Sequence, residues 1–124
     1  FFILFILSVV HLHSDIFTGE LVNTQFTIHG RYRVYNGSFN SRIWIVGSKR
    51  YLYIGETSDE SKKIDKILDE GKNWFNYTIY GDFTVEPLAT DIKGHMRPVK
   101  IIKVTNIVVE RDKDKKILVK RKEL

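Results

Sequence analysis

Two segments of this chain repeat one uncommon pattern. In residues 25–34, Phe26, Ile28, Gly30, Tyr32 and Val34 alternate with Thr27, His29, Arg31 and Arg33. In residues 76–85, Tyr77, Ile79, Gly81, Phe83 and Val85 alternate with Thr78, Tyr80, Asp82 and Thr84. Period two with one apolar side predicts a half-buried β-strand. A glycine in the middle of the apolar side marks a strand that bends sharply or bulges. Two such strands are expected to curve and close around a shared apolar interior.

The rest of the chain supplies partners. Asn36-Gly37 opens a loop, because Asn-Gly readily takes positive φ. Residues 42–46 and 49–54 read as two short strands around Gly47-Ser48, a hairpin. Thr57 followed by Glu60 matches a capping box. Ile64, Ile67 and Leu68 then recur at helical spacing, and Gly71 stands where a helix ends, so about twelve residues are expected to form one amphipathic helix. Residues 87–98 read as a loop, and 99–109 as a long strand whose period breaks near Asn106, a candidate bulge. Residues 116–120 have the composition of a short edge strand. The expected fold is all-β with one short helix. A helix between the third and fourth of five strands is the order of an OB-type Greek-key barrel. Another small barrel or sandwich made of the same strands is the alternative.

The first ten residues, FFILFILSVV, hold nine apolar residues. Ten residues are too few to span a bilayer as a helix, which needs about 20, but suit the apolar region of a signal peptide. Residues 1–14 are therefore read as the remnant of a signal peptide with a truncated start. Residues 20–124 are read as a single domain with a basic C-terminal tail, secreted or periplasmic. There are no cysteines, which excludes disulfides, thiolate metal sites and a cysteine nucleophile. Charge is unevenly placed: residues 1–110 hold 13 Lys/Arg against 12 Asp/Glu, while residues 111–124 hold 7 against 3. The domain proper is nearly neutral, so the net +5 reflects mostly its end. A run of that kind more often keeps a chain soluble than binds a polyanion.

Four strings, 30–37 (GRYRVYNG), 42–50 (RIWIVGSKR), 81–85 (GDFTV) and 94–96 (GHM), occur in this order. Together they resemble a family of small exported bacterial proteins of unknown function with an OB-like domain. The resemblance covers residues 26–109, and its most specific part is the second string. Members often carry a cysteine shortly after the strand corresponding to residues 81–85, where this chain has Glu86-Pro87. The resemblance implies the fold and the compartment, and no reaction.

No catalytic constellation stands out. The most pointed chemistry is Arg42 and Trp44, followed by Arg50, Tyr51 and Tyr53. If Ile43, Ile45, Leu52 and Ile54 face inward, those five face outward on the second and third strands, where OB folds carry ligands. Cations between rings suit an anionic, glycan or peptide ligand. The opposite assignment, with Trp44 and Tyr53 in the core, fits the spacing equally well. His95 and Arg97, in the last loop, complete the candidate ligand site. His29, His95, Asp82, Glu86 and Asp91 lack the close spacing of a metal site, so neither metal nor other cofactor is expected. Asp82 with Arg31 and Arg33 faintly echoes OB-type nucleases, and a small hydrolase is the alternative to a binding module. An envelope protein-interaction domain is a third reading. A monomer is expected, with a small ligand, glycan or protein as partner rather than nucleic acid.

Overall fold

The interior follows from the alternation. The computed structural model describes residues 24–35, 41–69 and 76–124. The expected signal remnant at 1–14, the loop at 36–40, Gly71 and Trp74 lie outside the described residues. The chain folds as β1 Phe26–Val34, β2 Ser41–Ile45, β3 Tyr51–Glu56, the helix α1 Asp59–Asp69, β4 Tyr77–Pro87, β5 Arg97–Arg111 and β6 Ile117–Glu123. The described residues are mostly strand, with one short helix. The sheet order is β3-β2-β1-β4-β5-β6, and β3 also pairs with β5. Five strands therefore make a ring, β1-β2-β3-β5-β4, with β6 outside it. All pairings are antiparallel except β3 with β5, which is parallel.

One side of each alternating strand fills the ring. Ile28, Tyr32, Val34, Ile43, Ile45, Leu52, Ile79, Phe83 and Val85 are all buried, with Ile101, Val104 and Ile107 from β5 and Ile64 and Leu68 from α1 in the same cluster. Burying each of the larger of these side chains stabilises the fold by about 1.5–3 kcal/mol. Gly30 and Gly81 pair directly across β1 and β4. A Cβ on Gly30 would lie 2.5 Å from Ile43 Cγ2 and 3.0 Å from Phe83 Cδ2. Neighbouring side chains thus lean over the glycine where the ring curves. β1 keeps continuous register with β4 through Gly30, and its pairing with β2 starts there, so this glycine marks a bend rather than a bulge. The bulge sits elsewhere. Tyr80 pairs with Val108 but Asp82 with Thr105, which inserts one extra residue into β5. Asn106 takes it up at φ 53°, a left-handed conformation that asparagine tolerates better than most residues.

Three local expectations shift. The helix cap is Ser58, not Thr57. Ser58 Oγ accepts from the Ser61 N–H at 3.1 Å, Ser61 Oγ accepts from the Ser58 N–H at 2.8 Å, and the Lys62 N–H reaches the Ser58 carbonyl at 3.1 Å. The reciprocal pair is Ser58 with Ser61, which frees Glu60 for another task. The outer edge of β5 pairs with β3 near its start and with β6 near its end. Between these stretches, Glu60 Oε2 accepts the Val104 N–H at 3.3 Å, supplying an acceptor that no strand provides there. Second, the hairpin turn covers residues 46–50, so the third strand starts at Tyr51 rather than Lys49. Third, both prolines expected in the last loop lie in strands, Pro87 at the end of β4 and Pro98 near the start of β5, positions where a missing N–H is tolerated. The basic end forms a turn, with Lys115 at φ 60°, and then β6. Its side chains are largely exposed.

Candidate functional site

The alternation that fills the ring also decides what covers it. With Ile43, Ile45 and Leu52 buried, Arg42, Trp44, Tyr51 and Tyr53 stand on the outer face, half-buried. Strand register arranges them in rows. Arg31 of β1 faces Trp44 of β2 on one side and Tyr80 of β4 on the other, and Trp44 faces Tyr51 of β3. The next row places Arg33 opposite Arg42, and Arg42 opposite Tyr53. A third places His29 opposite Asp82.

The guanidiniums are held by rings. Arg31 lies 4.8 Å from the centre of the Trp44 ring, Arg42 4.5 Å from that of Tyr35, and Arg33 5.7 Å from the same ring. Each such contact is worth about 0.5–1 kcal/mol at an exposed site and more when desolvated. Trp44 is itself fixed: its Nε1–H donates to the Ser48 carbonyl at 2.7 Å, so the indole folds against the hairpin turn. Arg33 Nη2 donates to Asp112 Oδ2 at 2.6 Å, and Asp112 Oδ1 accepts from the Thr78 hydroxyl at 2.6 Å. Arg31 Nε and Arg33 Nε are shielded from solvent without a hydrogen-bond acceptor among the described residues. Two like charges directly opposite each other destabilise a sheet. Arg33 and Arg42 are such a pair, a repulsion that the Asp112 carboxylate and the Tyr35 ring partly offset.

Arg50, His95 and Arg97 belong to a neighbouring feature. Arg97 is only 3% exposed, and its Nε–H donates to the Ala89 carbonyl at 2.9 Å. Burial pulls its pKa below the ordinary arginine value, with Asp91 opposing and Arg50 adding to the fall. Arg50 Nη2 donates to the buried carboxylate of Asp91. These residues pin the loop 88–96 to the ring, and Arg97 sits buried beneath that loop. His95 is exposed at the loop's tip.

His29 and Asp82 form a third group. His29 Nδ1 lies 3.1 Å from Asp82 Oδ1, and Asn106 Nδ2 donates to Asp82 Oδ2 at 2.7 Å. The Asn106 amide above all holds the Asp82 carboxyl below its usual value; burial opposes it, and His29 adds to the lowering. No hydroxyl joins this dyad, and no cluster of three metal-ligating side chains occurs among the described residues. Glu86 lies further along β4 and takes no part.

Neither a protein-family model, nor a curated protein, nor a solved structure matches this chain.

Of the seven residues expected at the site, Arg42, Trp44, Tyr51 and Tyr53 come together on the outer face, while Arg50, His95 and Arg97 gather around the loop 88–96. Sequence reasoning left Tyr35 and Tyr80 out of the site and gave Arg31 and Arg33 only a passing role. Arg31, Arg33 and Tyr80 lie at outward positions of their strands, and Tyr35 follows directly on β1. Period two alone could have placed Arg31, Arg33 and Tyr35 on one face; only the register shows which residues they meet.

Proposed function

We propose that this chain is an exported OB-type binding module that holds an acidic glycan across the outer faces of β1, β2 and β3. The ring order β1-β2-β3-β5-β4, with a helix between β3 and β4, supports the OB reading, and in that fold the second and third strands carry the ligand face. The apolar run at residues 1–10 supports export. The single observation that carries the binding reading is the pair of adjacent rows, Tyr80-Arg31-Trp44-Tyr51 and Arg33-Arg42-Tyr53. Guanidinium forks match carboxylates and sulfates bidentately, and Tyr51 and Tyr53 offer amphipathic rings to sugar faces. Trp44 and Tyr35 are already engaged by arginines, which leaves few ring faces for the base stacking that single-stranded nucleic acid needs.

The test is calorimetric titration of the purified protein with a sulfated or uronic-acid oligosaccharide, a single-stranded oligonucleotide and a poly-glutamate peptide, at low and high salt. The expected result is saturable, salt-sensitive binding of the oligosaccharide that is lost in Arg42→Thr. Tighter binding of the oligonucleotide or the peptide would reassign the ligand, and no binding of any of the three would remove the proposal.

A further inference from the structure

A second concavity lies beside the arginine face and is built differently. A groove of about 450 Å³ opens between β3 and the loop 88–96, with Tyr53, Ala89, Ile92, Met96 and Pro98 among its walls. A smaller one, about 250 Å³, lies on the other side of the loop tip and is lined by Lys49, Arg50 and Tyr51. The two share Gly94, His95 and Met96. They count as the two halves of one trough, one apolar and one cationic, which meet along Gly94, His95 and Met96.

Gly94 sits at φ 82°, and nothing lies within 4 Å of where its Cβ would be, so at this residue no side chain stands between the two halves. The walls do not depend on a ligand for their shape. The Leu88 N–H donates to the Pro98 carbonyl at 3.0 Å, Arg97 Nε to the Ala89 carbonyl at 2.9 Å, and the His95 N–H to the Ile92 carbonyl at 3.0 Å, while Asp91 is tied to Arg50. A loop of this length held at both stems and in its middle is a preformed cavity wall, and a preformed site avoids the ordering cost of binding. Ile92 is nevertheless 60% exposed, the most exposed large hydrophobic side chain described. The charge has a definite sign as well. Arg50 is bonded to Asp91, and Lys49 adds a further cation at the rim.

We infer that the trough on either side of Gly94–Met96 binds a small amphipathic anion. Its ring or short acyl group occupies the Tyr53–Ile92–Pro98 side, and its acid group meets Lys49 and Arg50. The trough adjoins the glycan face at Tyr51 and Tyr53, but its acid-binding cations, Lys49 and Arg50, are not those of the arginine rows.

Naphthalene-2-sulfonate is the probe, with methanesulfonate (the acid without the ring) and 2-naphthol (the ring without the acid) as controls, each followed by amide chemical shifts. The sulfonated ring is expected to shift Tyr53, Ile92, His95 and Met96 and to bind about tenfold more tightly than either control. Ile92→Asp and Lys49→Glu, both at exposed positions, each lower its affinity by about five- to tenfold, with the remaining spectrum unchanged as proof of folding. Arg42→Thr leaves it unaltered, so failure of the glycan reading and failure of this one are told apart. Shifts that miss residues 88–98, equal binding of methanesulfonate, wild-type affinity in both trough variants, or loss of binding in Arg42→Thr would each overturn the inference.

Discussion

Two regions of this molecule are cationic, and they could hardly be built more differently. On β6, Lys120, Arg121 and Lys122 are exposed and lie on the strand outside the ring. Charged side chains at a sheet's edge discourage further strand pairing and cost little. On β1 and β2, Arg31, Arg33 and Arg42 stand within the sheet, half-buried, and all three guanidiniums lie over aromatic rings. Two of them face each other across a strand pair. Charge on β6 is solvated; charge on β1 and β2 is placed, at a cost to the sheet. Net charge alone does not separate the two. Asp112, in the turn between β5 and β6, touches the placed set through Arg33.

The comparison can be broken most directly by removing cations from each side. Arg31→Ser with Arg42→Thr should lower acidic-oligosaccharide affinity on the order of 100-fold or more, since contacts to charged groups are worth about 1.5–3 kcal/mol each. Lys120→Ser with Lys122→Ser should change it by less than about threefold. Equal losses in the two titrations would erase the distinction. Asp112→Ala strands the buried Thr78 hydroxyl and the Arg33 guanidinium together, and urea unfolding should show a cost of about 1–3 kcal/mol. The same variant should bind the oligosaccharide more tightly, because it removes the carboxylate competing for Arg33.

Tyr32→Phe serves as the internal control, for Tyr32 lies between Arg31 and Arg33 but faces the core. Its hydroxyl donates to Asp65 Oδ1 at 3.2 Å, so its loss should cost about 1 kcal/mol and leave glycan affinity alone. Burial holds the Asp65 carboxyl above its usual value, and the Tyr32 hydroxyl works against that rise. In Tyr32→Phe the carboxyl should therefore move further up, which a side-chain NMR titration reads. The sign follows. With the folded value above the unfolded one, Asp65 favours the fold at pH below the ordinary carboxylate range, and that contribution is lost as pH climbs through the raised value. The variant should extend the window of loss upward. The smallest effect is that of Arg42→Thr on stability, within about 0.5 kcal/mol of zero, because ending the repulsion with Arg33 is offset by losing the contact with the Tyr35 ring. A large destabilisation in thermal unfolding would make Arg42 a structural residue.

Much of the ring was legible before any coordinates. Alternation around Gly30 and Gly81 marked β1 and β4, and the broken period near Asn106 marked the bulge. Alternation is a local property of the chain, and these strands obey it. Their pairing was not legible: that Gly30 faces Gly81, or that Arg31 lies between Tyr80 and Trp44, depends on register across segments dozens of residues apart. For the same reason the site was only half visible. Arg42 and Trp44 sit in one short string, but Arg33 meets Asp112 from the far end of the chain. Arg97 misled because an arginine in a loop reads as exposed, and only tertiary packing buries it. The cap moved by one residue because Ser58 and Ser61 satisfy each other, a competition that the Thr57–Glu60 pattern did not reveal.

The central claim is that the arginine rows, not the basic outer strand, receive the ligand. Amide chemical-shift mapping during titration with a sulfated oligosaccharide tests it in one experiment. The account predicts shifts concentrated at Arg31, Arg33, Arg42, Trp44, Tyr51 and Tyr53, with residues 117–123 unmoved. Shifts confined to residues 117–123, with the β1–β2–β3 face silent, would contradict it.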